Sequence, residues 1–155
     1  MAAPSAFVLF AENLNILSMT DLAGTTVKAA LVSSAWTPDA DEAGNDLWSH
    51  VSTNEIANGN GYTTGGATIA NDVVTAIANG YKYSSDNISF TASGGAIPAW
   101  RYMVFYVSAT LWGKTNPLIG YILGDSAPAD VPATSAPNVT GMNCPAAGWF
   151  TVTKA

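Results

Sequence analysis

The sequence predicts a mainly β protein, an antiparallel β-sandwich or barrel-like domain with one or two short helices. Short apolar segments recur along the chain, and clusters of Gly, Asn, Asp, Ser and Pro separate them. Residues 100–110 form an almost continuous apolar run, which is typical of a strand buried on both faces. Many short strands with regular turn signals are typical of sandwiches and barrels.

Composition predicts one domain with an unusual surface. The 155 residues suffice for one domain with a sizeable core, and 48% of them are hydrophobic. Only 10% are charged, against about 25% in ordinary soluble domains. Small and polar residues must therefore cover the surface, which is weakly protected against association and suits a subunit of a larger assembly.

Hydrophobic patterning places the strands and two short helices. The first helix is expected over residues 9–18, although residues 7–10 alone also fit a strand. A second helix is expected over residues 40–48, because Asp39 and Glu42 have the spacing of a capping box. The remaining apolar runs predict seven strands, over residues 26–33, 66–74, 77–83, 88–91, 100–110, 117–123 and 149–153.

The chain ends and one internal segment have a different composition. Residues 1–6 are expected to form a flexible N-terminal arm in front of a single β-rich domain over residues 7–155. Residues 124–146 are rich in Pro and Ala and predict a long extended loop. The N-terminus lacks the basic region of a secretion signal, and no apolar run reaches about 18 residues. We therefore expect a soluble protein, made in the cytoplasm, that does not bind membranes.

The stretch over residues 54–66 is the most distinctive part of the sequence. It contains four glycines and two Asn-Gly pairs within thirteen residues. Gly and Asn reach positive φ at low cost, so the stretch predicts a path of tight turns between sheet elements. One aromatic residue is expected to fix this path to the core, and the shape is assigned to Gly59, Gly61, Tyr62, Gly65 and Gly66.

No motif in the sequence indicates catalysis. His50 is the one histidine and Cys144 the one cysteine, and no local motif supports a nucleophilic triad that pairs the histidine with this cysteine or with a serine. The acidic residues 39–46 loosely resemble a calcium loop, but helix capping explains them better because His50 stands where an EF-hand needs Glu. Eleven acidic residues leave a glycosidase carboxylate pair open, without a motif to select it. The expectation is a protein that is not an enzyme and has no cofactor or metal.

Basic residues are too few for a nucleic-acid interface. The chain has five, against eleven acidic residues, and its net charge is −6. A phosphate-neutralising face needs a cluster of Lys and Arg, so direct nucleic-acid binding is not expected.

Arg101 is the one charge inside the most apolar run. A buried charge is costly unless it is paired. Glu55, at the start of the Gly-rich stretch, is the predicted partner, and loss of such a buried pair would cost a few kcal/mol.

Four phrases in a fixed order resemble a family of tailed-bacteriophage virion structural proteins. They are residues 26–39, the run from Glu55 through Gly-Asn-Gly-Tyr-Thr-Thr-Gly-Gly at residues 59–66, residues 99–106 and residues 117–122. The resemblance spans residues 21–123. The C-terminal part departs from the family pattern, because a long Pro/Ala-rich segment stands where the family has a short turn and a strand.

The resemblance implies a β-rich structural subunit, in the first place a capsid decoration (cement) protein. Such proteins sit as homotrimers on the exterior of the phage head and stabilise the lattice of the major capsid protein. The arm and the Pro-rich loop would then supply assembly contacts, at Ala2, Pro4, Phe7, Pro128, Pro132 and Pro137.

Two other roles stay open at this point. One is a tail- or neck-associated structural protein. The other is a glycan- or receptor-binding module, for which exposed tryptophans would stack on sugar rings (Trp36, Trp48, Trp112 and Trp149).

Overall fold

The computed structural model describes residues 5–10, 19–39, 46–127 and 129–153. These residues form a mainly β, sandwich-like domain with two short helices, α1 (Met19–Ala23) and α2 (Trp48–Val51), and a 3₁₀ turn at Ser52–Asn54. The fold class predicted from the sequence is therefore confirmed. In chain order the strands are β1 Val8–Leu9, β2 Val27–Val32, β3 Ala67–Thr68, β4 Val73–Ile77, β5 Gly80–Ser84, β6 Ile88–Thr91, β7 Tyr102–Val107, β8 Thr110–Leu111, β9 Lys114–Thr115, β10 Leu118–Leu123, β11 Val139–Met142 and β12 Phe150–Thr153.

The largest sheet has five antiparallel strands in the order β1-β10-β7-β2-β3. Strand β7 lies at its centre and pairs with β2 from Val27↔Val107 to Val32↔Tyr102. Five of its six residues are buried, in agreement with the two-sided burial that its continuous apolar sequence predicts.

Each face of this sheet has its own apolar cluster. The first cluster contains the alternate residues Ala29, Leu31, Met103 and Phe105, and it extends to residues of the smaller sheets such as Phe150. The second cluster covers the opposite face and is rich in aromatic side chains from strands, from α2 and from the segments between them, namely Phe10, Trp36, Trp48 and Tyr106 together with half-buried Tyr102 and Tyr121. The ring planes of Trp48 and Tyr106 lie 5° apart, with centroids separated by 4.6 Å.

Two smaller sheets contribute to the first cluster. One has the order β12-β5-β4, and the other pairs β11 with β6. Tyr83 of β5 and Phe150 of β12 pack there with ring centroids 5.5 Å apart. A two-stranded β8-β9 hairpin completes the described sheets.

The helix predictions are partly wrong. Leu9 belongs to β1, where it pairs with Gly120, because residues 7–10 follow the strand alternative. Residues 11–18 and 40–45 lie outside the described part of the chain, and α2 begins at Trp48, where the second helix was expected to end.

The strand predictions differ from the structure mainly at their ends. The segment predicted over residues 66–74 splits into β3 and the start of β4, with Asn71 at positive φ between them. The strand predicted over residues 77–83 corresponds to β5, which begins at Gly80. A two-residue turn precedes it, and Asn79 in this turn has a φ of 61°. Asn reaches this region cheaply, so each break falls where the backbone can reverse.

The Pro/Ala-rich segment is fixed to the domain. Its backbone forms bridges between Thr134 and Ile97 and between Val131 and Trp100, and it continues into β11. The buried indole N–H of Trp100 donates to the hydroxyl of Thr140 at 2.9 Å. The long extended loop predicted over residues 124–146 is therefore corrected to a segment that lines one end of the sandwich and contributes a strand.

Part of the predicted N-terminal arm is also attached. The amide of Ser5 donates to the carbonyl of Leu123, and the Leu123 amide donates to the Ser5 hydroxyl. Residues 1–4 lie outside the described part of the chain. No helix in that part is long and apolar enough to cross a membrane.

Candidate functional site

The Gly-rich stretch is an excursion from the strand that borders β2. Its first residues pair antiparallel with the end of β2, at Glu55↔Val32, and β3 follows directly after its last residue and pairs with β2 at Thr68↔Lys28. The five residues of β2 from 28 to 32 thus lie opposite fourteen residues, from 55 to 68, so nine residues leave the sheet and return to it. We call residues 57–65 the excursion.

The tip of the excursion is a tight turn. Gly59 and Tyr62 exchange backbone hydrogen bonds of 2.8 and 3.0 Å around Asn60 and Gly61. Both central residues have positive φ, at 54° and 96°. This is the type I′ turn that an Asn-Gly pair favours, and the sequence prediction of a tight turn here agrees with it.

The tip of the excursion lies against the segment that follows β6. The Asn60 side chain donates to the carbonyl of Ala96 at 2.9 Å, and its backbone carbonyl accepts from the amide of Ser93 at 3.0 Å. The ring of Tyr62 packs 5.1 Å from that of Phe90 in β6. The excursion therefore connects the five-stranded sheet with the β6-β11 sheet.

Tyr62 occupies the gap that the excursion leaves beside β2. Its hydroxyl accepts the Leu31 amide hydrogen at 3.0 Å and donates to the Glu55 carboxylate at 2.6 Å. The same carboxylate oxygen accepts the Gly65 amide hydrogen at 2.7 Å. The Tyr62 hydroxyl thus takes the place of a strand carbonyl as acceptor for the Leu31 amide. This buried N–H is therefore hydrogen-bonded.

Burial makes the tyrosines of this region hard to ionise. Tyr62 is 2% exposed, and desolvation, followed by the hydrogen bond to Glu55, raises its pKa far above its usual range. Burial raises the pKa of Tyr106 to about 12, with a smaller contribution from the Glu55 charge. The Tyr106 hydroxyl donates to the carbonyl of Gly65 at 2.7 Å. These hydroxyls serve as fixed hydrogen-bonding groups because their protons are retained at neutral pH.

Two glycines of the stretch have no room for a side chain. A Cβ on Gly66 would overlap the carbonyl oxygen of Ala29, and one on Gly61 would overlap that of Thr91. Gly59, Gly61, Gly65 and Gly66 all have positive φ. Glycine is thus required here by backbone conformation and, at Gly61 and Gly66, by close approach of another strand as well.

The predicted pair between Glu55 and Arg101 is wrong. The Glu55 carboxylate accepts hydrogen bonds from Tyr62 and Gly65, while Nε of Arg101 lies 2.7 Å from the Asp130 carboxylate. The Arg101 and Asp130 side chains are 30% and 40% exposed. Arg101 precedes β7 at the rim of the sheet, so its charge stays in water, and an ion pair this exposed contributes about 1 kcal/mol or less.

The predicted assembly residues fall into three groups. Phe7 is half-buried and packs on Phe105 and Phe150 at centroid distances of 4.9 and 5.1 Å, so it is engaged inside this domain. Pro132 and Pro137 are exposed. Ala2, Pro4 and Pro128 lie outside the described residues.

The sequence also failed to indicate a charged cluster around α2. Asp46 lies 3.1 Å from Nδ1 of His50 and 2.9 Å from Nζ of Lys114. The i, i+4 spacing of Asp46 and His50 was readable, but Lys114 comes from the distant β9. This cluster joins α2 to the β8-β9 hairpin. Among the described residues, no three His, Cys, Asp or Glu side chains are grouped so that they could hold a metal ion.

The tryptophans proposed for sugar stacking are mostly inside the protein. Trp36, Trp48 and Trp149 are buried in the two apolar clusters. Trp112 is half-buried, and its indole N–H donates to the Asp21 carboxylate at 3.0 Å. Stacking on a glycan needs an exposed ring face, which the three buried residues do not offer.

The two small sheets carry the exposed apolar side chains. Val139 of β11, Tyr81 of β5, Val73 of β4 and Val152 of β12 are 51%, 50%, 48% and 38% exposed, and they are the large hydrophobic residues exposed among those described. The five strands of these sheets contain one charged residue, Lys82. We call these five strands, which are uncharged apart from Lys82, the uncharged layer (β4, β5, β6, β11 and β12).

Open clefts flank the uncharged layer on two sides. One, of about 460 Å³, is lined by Val131–Ser135 and Asn138–Thr140 and is bordered by exposed Val139. The other, of about 560 Å³, lies beside half-buried Cys144, between Lys82 and the Ser84–Asn87 turn. Both are open and shallow, the first with a mixed polar and apolar lining and the second with a mostly polar one, which indicates contact surfaces more than enclosed ligand sites.

Replacing Gly66 by alanine should destabilise the fold strongly, because the new methyl group would overlap the backbone of β2. We expect Gly66→Ala to lower the free energy of unfolding by about 4 kcal/mol or more. Gly94 has a similar φ (78° against 72°) but open space around it, so Gly94→Ala should cost only about 1 kcal/mol. Urea unfolding measures both, and equal losses would contradict the close approach.

Alkaline pH should weaken the fold through the buried tyrosines. Their pKa is higher in the folded than in the unfolded chain, so stability is complete below about pH 10 and falls as pH rises above it. Each such group is expected to remove about 1 kcal/mol by pH 11. The loss between pH 9 and pH 11 should therefore be smaller by that amount in Tyr62→Phe. An unchanged loss in this variant would show that Tyr62 ionises freely in the fold.

Comparison with known proteins assigns no family. No protein-family model matches the chain, and no curated protein or solved structure is significantly similar to it.

Proposed function

We propose that this chain is a structural protein of a tailed-phage virion, in the first place a decoration protein that binds and stabilises the lattice of the major capsid protein. In this role it lies on the exterior of the head, as the sequence resemblance implies, in trimers. Its activity is binding, without catalysis, a cofactor or nucleic-acid contact.

The observation that carries the proposal is the uncharged layer. Residues 73–81, 87–100 and 131–153 contain no Asp, Glu, Lys or Arg, and they include the four exposed large hydrophobic residues. Interfaces between proteins are depleted of charge at their centre and enriched in aromatic side chains. A layer with this composition, on a chain of net charge −6, is suited to bind the uncharged surface of another protein.

The placement of the resembling phrases supports the same role. They form β2 with the following loop, the stretch containing the excursion, β7, and β10. The resemblance thus lies in strands of the five-stranded sheet and in the Gly-rich stretch beside β2. The uncharged layer is built mostly from other segments. A shared scaffold with a variable contact layer is what a family of structural subunits on different capsids requires.

A tail or neck position would use the same surface. The uncharged layer does not distinguish a head partner from a tail partner. The position of the chain in the virion is therefore determined on intact phage particles. The glycan-binding alternative has less support, because three of its four candidate tryptophans are buried.

Electron cryomicroscopy of the phage particle that encodes this chain tests the proposal directly. We expect density for the domain at many equivalent positions on the outside of the head. Density in a few copies at the neck or tail would replace decoration with the tail-associated role. Absence of the chain from purified particles, measured by mass spectrometry, would reject a virion role.

A charge placed in the uncharged layer should weaken capsid binding. We expect Val139→Asp to reduce binding to heads that lack the protein by about ten-fold or more, as for a residue at an interface centre. Ser49→Asp is the matched control, because Ser49 is exposed on α2 and outside the layer. Co-sedimentation with heads measures both variants. Equal binding by the two would show that the Val139 surface is not the contact.

A further inference from the structure

Strand β4 is the longest free sheet edge among the described residues. It has five residues and pairs on one side with β5. The outer strands of the large sheet, β1 and β3, have two residues each, which limits their capacity to pair with another chain. No described backbone group donates to or accepts from the outer side of β4. Helix α1 lies beside β4, yet Thr75 and Ala76 remain exposed.

The turn between β4 and β5 defines which backbone groups point outward. Ile77 and Gly80 flank a two-residue turn, so they form a hydrogen-bonded pair, and such pairs alternate along an antiparallel ladder. Val74 and Ala76 therefore direct their N–H and C=O groups away from β5, toward the open edge.

On the core-facing side of the β12-β5-β4 sheet, the apolar side chains form two rows, and the second row lies beyond the first cluster. Tyr83 pairs with Val74 and with Phe150, and these three pack on the first cluster. Two residues further along each strand, Tyr81 pairs with Ala76 and with Val152, on the same face. This second row is exposed, although its residue types are those of a core.

The β4 sequence has no charge and no proline, the residue types that most often prevent strand pairing at an edge. From Val73 to Tyr81 there is no charged residue and no proline. Asp72, just before β4, already accepts a hydrogen bond from the Tyr83 hydroxyl at 2.9 Å. In an antiparallel pairing of two β4 strands centred on Thr75, Asp72 would lie opposite Ala78 of the other copy, so no two carboxylates face each other.

We propose that a second copy of this chain pairs with the first through β4, antiparallel, about a two-fold axis at Thr75. In this register Val74 of one copy faces Ala76 of the other, and their outward groups form about four hydrogen bonds. The exposed row of one copy then continues into the buried row of its partner, which gives one apolar face across six strands. Pairing of β4 with β12 lacks this match, because the outward groups of β12 belong to Thr151 and Thr153, on the opposite face.

The pairing adds a self-contact to the proposed function but does not depend on it. It has two-fold symmetry, so it is separate from the three-fold contact that the sequence resemblance implies. It would double the mass of a 16.0 kDa monomer, and in a trimer, which has three such edges, it would produce species of at least twice the mass. Absence of the chain from virions would reject the proposed function and leave the pairing intact.

Disulfide trapping tests the register. In the Cys144→Ala background, Thr75→Cys places two thiols opposite each other at the axis, where a non-hydrogen-bonded pair has its Cα atoms about 4.5 Å apart, within the range of a disulfide. Val73→Cys is the matched control on the same strand and face, since its two copies would lie about 13 Å apart. We expect a crosslinked dimer for Thr75→Cys and none for Val73→Cys under the same oxidant. Equal crosslinking, or none in either variant, would overturn the proposal.

Ala76→Pro tests the hydrogen bonds without a thiol. Proline removes an outward N–H and leaves the ladder with β5 intact, as edge strands tolerate. We expect this variant to have half the mass of the unsubstituted chain in sedimentation at equal concentration. Equal masses at all concentrations would also overturn the proposal. Should Ala76→Pro fail to fold, as judged by circular dichroism, the thiol pair decides.

Discussion

The fold depends on how the edge of β2 is closed. This strand carries residues of both apolar clusters, so an unpaired edge would leave buried amide groups without partners. The chain closes it at both ends with backbone pairing and in the middle with the hydroxyl of Tyr62. Glu55 and the Gly65 amide then hold that hydroxyl in place. The carboxylate, which in another setting could act as a base, is engaged here by two donors that stabilise the sheet.

The nine residues of the excursion connect the five-stranded sheet with the β6-β11 sheet. A continuous strand in their place would close the β2 edge equally well, but it would not reach β6. Asn60 and Gly61 reverse the chain at the tip of the excursion. Asn60 therefore forms hydrogen bonds with Ser93 and Ala96, which follow β6. The segment after β6, at one end of the uncharged layer, is thereby hydrogen-bonded to the excursion.

The sequence predicted what depends on local chemistry. The apolar run of β7, the Asn-Gly turn and the need for glycine at residues 59, 61, 65 and 66 are all properties of short segments. It failed where the answer depends on distant partners. Arg101 was paired with Glu55 because its run is apolar, whereas its side chain lies at the strand's rim beside Asp130, which comes from the Pro-rich segment. Four of the five strands of the small sheets were predicted at least in part, whereas β11 lies in the segment expected to be a loop. No local signal shows which of these strands pair or that both small sheets pack on the first cluster.

The side of β2 that faces β3 and the outer side of β4 differ in opposite ways. At β2 the chain uses nine additional residues, a tight contact between Gly66 and Ala29, and a buried tyrosine whose hydroxyl bonds the Leu31 amide. At β4 it has neither a charge nor a proline to discourage pairing, and apolar side chains extend beyond the core. Free edges of monomeric proteins are usually blunted, because an open one associates. An edge left open in a chain that closes another so thoroughly is consistent with a protein whose sheets are completed by neighbouring copies.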